Sequence, residues 1–174
     1  MRRHVALTGF MAAGKSTIGK KLARKMGVKF YDIDDIIVAR HGAISDIFYA
    51  QGERQFREYE REAIAHVVDE EEPGVIALGG GAVTYDETLK ILKKRTYRVF
   101  VKVAPEQILG RLRRSKRPRP LIGPTPSLSK IKDLYAQRMP RYAHADHVVE
   151  AGDMTTAQIV DEIAHWLKKK NIEL

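Results

Sequence analysis

The stretch HVALTGFMAAGKST, residues 4–17, carries the strongest structural signal in this chain. It begins as an apolar run typical of a buried strand, residues 4–10, and changes abruptly to small residues, a lysine and two hydroxyls. Residues 9–16 match the pattern G-x-x-x-x-G-K-[ST] at every position. Because the pattern lies between a predicted strand and a predicted helix, it predicts a phosphate-binding loop rather than a chance match.

The residue types of this loop suit a phosphate. Backbone N–H groups must turn inward around the anion, which excludes bulky side chains. The helix that follows adds unpaired N–H groups and the positive end of its dipole. Lys15 would reach the β- and γ-phosphates, and the Ser16 hydroxyl would bind Mg²⁺. The residues predicted to bind ATP here are Gly9, Met11, Ala12, Ala13, Gly14, Lys15, Ser16 and Thr17.

Composition sets wide limits on function. The 174 residues suit one domain, 1–174, and the absence of cysteine excludes disulfides and thiolate chemistry. The net charge of +9 fits a nucleic-acid partner or an enzyme that collects anionic ligands. Much of it lies in RLRRSKRPRP, residues 111–120, which lacks the interleaved aromatic residues of a stacking platform. We therefore expect no nucleic-acid partner.

The start of the chain, residues 1–14, superficially resembles a secretory signal, because basic residues precede an apolar run. The run is short and leads directly into Lys15 and Ser16, so cleavage there would destroy the phosphate loop. No stretch approaches the roughly 20 apolar residues that cross a bilayer. We expect a cytoplasmic protein without membrane association.

Strands and helices alternate along the chain, which predicts a parallel sheet with helices on both faces. One helix is predicted at 15–26, closed by Gly27, and another opens with a Thr84–Glu87 capping box. Residues 116–126 hold four prolines and a glycine, so they cannot form a helix or an interior strand. The strands predicted after the first are 29–34, 74–81, 97–103 and 147–151.

A magnesium–nucleotide site needs a carboxylate near the metal. Neither apolar strand at 74–78 and 97–103 ends in an acid, but Asp32 and Asp34 lie at the end of the strand 29–34, where ligands of open sheets gather. In an extended chain both side chains face the same side, so one could serve the metal's water shell and the other an acceptor hydroxyl. The alternative is that both cap the next helix.

Three consecutive glycines, Gly79, Gly80 and Gly81, follow the strand that begins at Gly74. Such a run is entropically costly in an ordered element. It predicts a backbone that approaches a ligand closely and donates N–H groups to it, and the alternative is a bare connection.

Nearly the whole chain resembles the shikimate kinase family, a small member of the nucleoside monophosphate kinase-like group. The segments GFMAAGKSTIGKKLA, DID, GERQFRE, ALGGGAV, RPLI and RMPRYAHADHVV occur in the order typical of that family. The resemblance implies a three-layer α/β/α fold with a five-stranded parallel sheet in the order 2-3-1-4-5, a substrate-binding region at 33–61 and a mobile lid at 112–126. It also implies transfer of the γ-phosphate of ATP, with Mg²⁺, to the 3-hydroxyl of shikimate in aromatic amino acid (chorismate) biosynthesis. We expect the chain to act as a monomer.

The resemblance assigns roles to acceptor-site residues by position. Asp34 corresponds to the residue that binds the shikimate hydroxyls and acts as the base, and Asp32 to the carboxylate near Mg²⁺. Arg57 and Arg138 correspond to the two arginines that grip the substrate carboxylate. The remaining residues it implies are a backbone wall, Gly79, Gly80 and Gly81, and an aromatic lining, Phe48 and Phe56.

The chemistry agrees, because a planar guanidinium suits a carboxylate and an aspartate suits vicinal hydroxyls. Arg57 flanks an apolar helical stripe that contains Phe56, although a surface ion pair with Glu53, Glu58 or Glu60 is an equal alternative. Arg138 lies two residues before Pro140, and its alternative is a routine surface pair.

The lid sequence leaves two assignments open. Arg119 matches the catalytic lid arginine that swings over the phosphates, but Arg117 begins an adjacent Arg-Pro pair and could take that role. The arginine that stacks on adenine is also open, because the spacing to the lid is longer by one residue than in the family. Arg111 is preferred over Arg113 and Arg114.

Three rival functions fit the sequence less well than a shikimate kinase. A nucleoside monophosphate kinase usually ends its phosphate loop in Gly-Lys-Gly, whereas this loop ends in Gly14, Lys15 and Ser16. A gluconokinase typically continues its acidic motif into a His-Pro pair, whereas Asp34 here is followed by Asp35 and Ile36. A catalytically silent ATP-binding regulator is disfavoured by the intact Lys15, Asp32 and Asp34. The sequence therefore favours an enzyme with a small-molecule substrate.

Overall fold

Strand β1, His4–Thr8, is buried at all five residues, as expected for the central strand of a sheet covered on both faces. The computed structural model describes residues 3–174. Residues 1 and 2, at the start of the segment that resembles a secretory signal, lie outside the described residues. The five strands pair in parallel in the order β2-β3-β1-β4-β5, which confirms the predicted order. The other strands are β2 Lys29–Asp32, β3 Gly74–Ala77, β4 Thr96–Lys102 and β5 His147–Glu150.

Helices cover both sides of this sheet. Among the residues that the structure describes, none of them is long and apolar enough to cross a membrane. Helix α1 packs against α7, and α3 packs against both α2 and α4. The helices are α1 Lys15–Met26, α2 Ile33–His41, α3 Ile44–Glu70, α4 Asp86–Arg95, α5 Pro105–Arg114, α6 Leu128–Tyr142 and α7 Thr156–Lys169.

The bounds of α1 agree with the sequence prediction because both ends are set by glycines. Gly14 precedes the helix with φ 94°, and Gly27 follows it with φ 69° and donates its N–H to the carbonyls of Ala23 and Arg24. Positive φ at both positions favours glycine over any residue with a Cβ atom.

The predicted strand at 29–34 is too long, and the reason is a helix cap. Strand β2 ends at Asp32, whose carboxylate accepts hydrogen bonds from the backbone N–H groups of Asp34 and Asp35 and starts α2. Asp34 therefore lies in the first turn of a helix and does not alternate with Asp32 along a strand. The capping alternative considered for this pair is confirmed for Asp32.

The predicted Thr84–Glu87 capping box is wrong. The Thr84 hydroxyl donates to the Gly81 carbonyl at 2.6 Å and closes a single 3₁₀ turn, Ala82–Thr84. Helix α4 begins one residue later than the box requires, and Tyr85 at its N-cap makes no side-chain capping bond.

The proline-rich stretch forms no helix or strand, as predicted. Residues 115–127 connect α5 to α6, and the first three residues of the lid predicted at 112–126 form the last turn of α5. Two long helical segments, α2 and the start of α3, hold the predicted substrate-binding region 33–61. Within α3, Gly52 has φ 82° and ψ 172°, which kinks the helix before Glu53.

Candidate active site

The phosphate loop is held by its backbone. Gly9 has φ 148°, and a Cβ atom there would lie 2.6 Å from the Val101 carbonyl oxygen, so a larger residue cannot replace it without strain. Ala12 also has a positive φ, 59°, which is uncommon for a residue with a side chain. The Ala13 N–H donates to the Phe10 carbonyl and closes the turn. The loop and the start of α1 thus present a concave backbone suited to an anion.

The Lys15 ammonium lies inside this loop. Its Nζ donates to the carbonyls of Gly9 at 2.7 Å and Phe10 at 2.9 Å. Burial lowers the pKa of Lys15 to about 8, although the nearby Asp34 carboxylate opposes that change. The ammonium is therefore a cation in a desolvated place, where a phosphate would restore its usual pKa.

A hydroxyl and a carboxylate meet beside the loop. The Ser16 hydroxyl donates to Asp32 Oδ2 at 2.5 Å. Mg²⁺ is commonly held by one or two protein oxygen atoms together with phosphates and waters, so this pair fits it. Both residues line a cavity of about 200 Å³, the phosphate cavity, which also contains the exposed Thr17.

A second cavity, of about 100 Å³, adjoins the first and is called the acceptor cavity. Its aromatic wall is formed by Phe48 and Phe56, whose ring centroids lie 4.9 Å apart. The structure brings every residue predicted for acceptor binding to this one cavity. They are Asp34, Phe48, Phe56, Arg57, Gly79, Gly80, Gly81 and Arg138.

Asp34 lines both cavities. Burial raises the pKa of its carboxyl, an effect that the Arg117 guanidinium opposes and Asp32 reinforces. Arg117 Nη2 lies 3.3 Å from Asp34 Oδ2. A carboxylate at the junction of a phosphate site and an acceptor site can accept a proton from an acceptor hydroxyl.

Arg57 is buried and fixed by two carboxylates. Its Nη1 donates to Glu60 Oε2 at 2.8 Å, and its Nε and Nη2 donate to Glu53 Oε1 at 3.4 and 3.3 Å. The guanidinium has five N–H groups, so three are used and two remain for an acceptor anion. Arg57 therefore does form the ion pairs with Glu53 and Glu60 that the alternative named. These pairs are not on the surface, because the Arg57 side chain is only 8% exposed.

Arg138 is the second buried guanidinium and lies on α6, with Pro140 two residues further along the helix. It lies 5.5 Å from the centroid of the Phe10 ring. Within residues 3–174 its buried Nη1 has no hydrogen-bond partner. An unpaired buried donor is costly, and an anion in the acceptor cavity would relieve that cost.

The three glycines make room for charged side chains. A Cβ atom at Gly81 would lie 2.7 Å from Arg57 Cζ, and one at Gly80 would lie 3.1 Å from Arg138 Nη1. A Cβ atom at Gly79 would collide with Glu60 Oε1. The glycine run is therefore not a bare connection. The absence of side chains lets the guanidinium and carboxylate groups around the cavity lie directly against its backbone.

Both lid arginines reach the site. Arg119, like Arg117, lines the phosphate and acceptor cavities, and its buried Nε has no hydrogen-bond partner in the described part of the chain. Arg111 lies behind the phosphate loop, where its Nη1 donates to the Ala12 carbonyl at 3.0 Å. The side chains of Arg113 and Arg114 are exposed, and neither lines the phosphate or the acceptor cavity.

Sequence reasoning missed the roles of two buried residues, Glu60 in the wall of the acceptor cavity and Tyr142 against its glycine backbone. Glu60, 1% exposed, was considered only as a surface partner of Arg57. Its signal is its position on the apolar stripe, four residues after Phe56 and four before Ile64, where a charge is unexpected. Tyr142 is fully buried and donates its hydroxyl to the Gly80 carbonyl, and burial raises its pKa to about 12.

Comparison of the sequence with known proteins gives one consistent match. The family model described as Shikimate kinase matches residues 11–168. A shikimate kinase from Francisella tularensis subsp. novicida is 38% identical over 172 residues, which cover 98% of this chain and 97% of that relative.

Comparison of the fold agrees. The solved structure of shikimate kinase from Acinetobacter baumannii in complex with shikimate has a TM-score of 0.91 at 30% identity, covering 99% of this chain and 97% of that one. A gluconokinase from Sinorhizobium meliloti has a TM-score of 0.67 at 17% identity, covering 97% of this chain and 94% of that one. The second likeness shows a common fold and no more.

Proposed function

The chain belongs to the shikimate kinase family and is a kinase that phosphorylates shikimate with ATP and Mg²⁺, and from that premise we propose which of its residues carry the reaction. One observation supports the proposal most strongly. Asp34 lines both the phosphate cavity and the acceptor cavity, so its carboxylate lies where the transferred phosphoryl group and the accepting hydroxyl would meet.

The phosphate loop and Lys15 hold the nucleotide in this proposal. Backbone N–H groups of the loop and the α1 N-terminus bind the phosphates, and Lys15 exchanges its carbonyl partners for phosphate oxygens. Ser16 and Asp32 would hold Mg²⁺, which supplies positive charge beside the β- and γ-phosphates. Arg111, behind the loop, is our choice for the contact with adenine.

The acceptor cavity orients shikimate by its carboxylate. The two free N–H groups of Arg57 and the unpaired Nη1 of Arg138 are the donors for that anion. Phe48, Phe56 and the glycine backbone would contact the ring. With its anionic end fixed, the substrate presents a hydroxyl toward Asp34.

The chemical step is an in-line displacement. The 3-hydroxyl oxygen attacks the γ-phosphorus while Asp34 accepts its proton, and the bond from the γ-phosphorus to the bridging oxygen breaks to release ADP. Lys15 and Arg119 offset the negative charge on the transferring group, a role in which one arginine can be worth about 10³–10⁵ in rate. Arg117 remains the alternative for that role.

The chain is proposed to act as a single kinase domain, 1–174, in which 33–61 binds the acceptor and 112–126 closes over both substrates. Closure would exclude water and limit wasteful hydrolysis of ATP. We expect it to be a cytoplasmic monomer without nucleic-acid or membrane partners. The concentrated positive charge of residues 111–120 is accounted for by two anionic substrates, which supports this expectation.

A coupled assay with shikimate, gluconate and CMP tests the activity. We expect turnover with shikimate alone. Turnover with gluconate and not with shikimate would overturn the proposed acceptor and leave the fold unaffected.

Variants of the two arginines test the site. Arg57→Ala and Arg138→Ala should each raise the KM for shikimate by about 10- to 100-fold, since a charge-assisted hydrogen bond contributes roughly 1.5–3 kcal/mol. The KM for ATP should stay near its wild-type value. An unchanged KM for shikimate in both variants would contradict the carboxylate assignment.

A further inference from the structure

Arg57 separates two cavities. On one side it lines the acceptor cavity, and on the other it lines an outer cavity of about 430 Å³ between α3 and the start of α4. This outer cavity is also lined by Arg54, by Arg61, which pairs with Glu58, and by four acidic residues, Glu53, Glu58, Asp86 and Glu87. Glu60 holds the guanidinium on the side of the acceptor cavity, so the group that covers its outer side decides how firmly it stays there.

Tyr85 covers the guanidinium on the outer side. Arg57 Cζ lies 5.4 Å from the centroid of the Tyr85 ring and 5.1 Å from that of Phe56. The Tyr85 hydroxyl donates to Glu53 Oε1 at 3.4 Å, the same oxygen atom that accepts from Arg57 Nε. Tyr85 itself is 42% exposed, so one face of its ring lies toward solvent and the other toward the cation.

The ring has two physical effects on Arg57. It contributes a cation–π contact, about 0.5–1 kcal/mol at an exposed position and more where the cation is desolvated. It also keeps water, and the outer acids other than Glu53, away from the guanidinium. Without the ring, the outer side of the guanidinium would hydrate, and Arg57 would turn outward with Glu53, which accepts from its Nε and Nη2, and so away from the acceptor.

We propose that Tyr85 is a positioning residue that holds Arg57 toward the acceptor cavity and so sets the preference of the enzyme for a carboxylate-bearing acceptor. The proposal rests on the proposed function, because it requires Arg57 to bind the acceptor carboxylate. Tyr85 does not touch the acceptor and acts only through Arg57 and Glu53.

Kinetics of Tyr85→Ser with shikimate and its methyl ester test the proposal. Serine is a preferred N-cap residue, and Tyr85 occupies the N-cap of α4, so the variant should fold. We expect the KM for shikimate to rise about tenfold and the KM for ATP to stay within about twofold, because only the acceptor arginine is displaced. The preference in kcat/KM for shikimate over the ester should fall by a similar factor, which a general loss of stability would not produce.

Tyr85→Phe is the matched control, since it keeps the ring and loses the hydroxyl. It should restore the KM and the preference to within about threefold of wild type. An unchanged preference in Tyr85→Ser, or an equal loss in Tyr85→Phe, would overturn the role of the ring. If Tyr85→Ser proves unstable in thermal unfolding, Tyr85→Asn, which also caps helices well, gives the same comparison.

Arg57→Ala in the same assay separates the two proposals. If Arg57→Ala loses the carboxylate preference and Tyr85→Ser keeps it, the positioning role is wrong and the acceptor site stands. If Arg57→Ala also keeps the preference, the acceptor site itself is wrong.

Discussion

The nucleotide half of the site uses the backbone of eight consecutive residues, 9–16, whereas the acceptor half gathers side chains from α2, α3 and α6 against the glycine backbone that follows β3. In the first half the ligand-facing groups are mostly N–H groups whose directions follow from φ angles such as those of Gly9 and Gly14. In the second half they are guanidinium and carboxylate groups held by one another. The first half is therefore encoded locally, and the second depends on packing between distant segments.

This difference also sets how each half fails. The acceptor half buries Arg57, Glu60 and Arg138 together, and removal of one partner from such a group leaves an uncompensated charge that costs about 3–5 kcal/mol. The nucleotide half buries a single ammonium, Lys15, whose partners are two carbonyls. Substitutions in the acceptor half should consequently affect stability and specificity at once.

The largest expected effect lies where the two halves meet. Asp34→Asn should lower kcat by about 10³, within the 10²–10⁴ that a general base contributes, since the amide cannot accept the hydroxyl proton. The Kd for ATP, measured by calorimetry, should change little, because the hydrogen bonds that shape the phosphate loop do not involve this carboxylate.

Asp35→Asn is the matched control for this substitution. Asp35 is the next residue in α2, but its side chain is exposed and lines neither cavity. It should keep kcat near wild type. A decrease of less than tenfold in Asp34→Asn would mean that another group accepts the proton.

The contrast between the halves also explains what the sequence could predict. The strand, loop and helix of the nucleotide half follow from contiguous residues, and helix α1 has the predicted bounds because Gly14 and Gly27 set them. The sheet order and the gathering of acceptor residues rested on family resemblance. The local structure predicted for Asp34 was wrong. Asp32 ends the strand by capping the next helix, and the alternation of side chains along a strand cannot show where that helix begins.

Contacts between distant segments were beyond sequence reasoning. The glycine run indicated a close approach but not by which residues. The side chains that lie against it belong to Glu60 and Arg57 on α3, about 20 residues away in the chain. Tyr142 reaches the Gly80 carbonyl from a still greater separation. Such contacts depend on how helices pack on the sheet, and no local pattern specifies them.

A smaller effect tests whether the glycines serve the acceptor half by making room. Gly81 has φ −102°, which any residue adopts, so Gly81→Ala acts only through its Cβ atom and the Arg57 guanidinium. We expect it to lower the free energy of unfolding by about 1–3 kcal/mol, the usual cost of overpacking, and to raise the KM for shikimate. Chemical denaturation measures the first effect and steady-state kinetics the second.

Gly110→Ala is the control, and it should change the free energy of unfolding in the opposite direction. Gly110 lies inside α5, where an added Cβ atom would meet only the end of the Arg114 side chain at 3.8 Å. Alanine is favoured over glycine in a helix by up to about 1 kcal/mol, so this variant should be more stable. Equal stability changes in the two variants would show that the glycine run is not tightly packed.

The smallest effect is a proton that only the nucleotide half should take up. The pKa of Lys15, lowered by burial to about 8, means that the free protein has largely lost this proton at pH 9 and retains it at pH 7. A bound phosphate raises the pKa again, so binding of Mg-ADP should take up close to one proton at pH 9 and about none at pH 7, and its affinity should weaken as pH rises above 8.

Calorimetry in two buffers of different ionisation enthalpy gives the number of protons. Shikimate binding should show no such uptake, because the acceptor carboxylate is bound by arginines, and the arginine side chain does not lose its proton in proteins. Equal proton uptake for the two ligands would remove the distinction between a titrating nucleotide half and a permanently charged acceptor half.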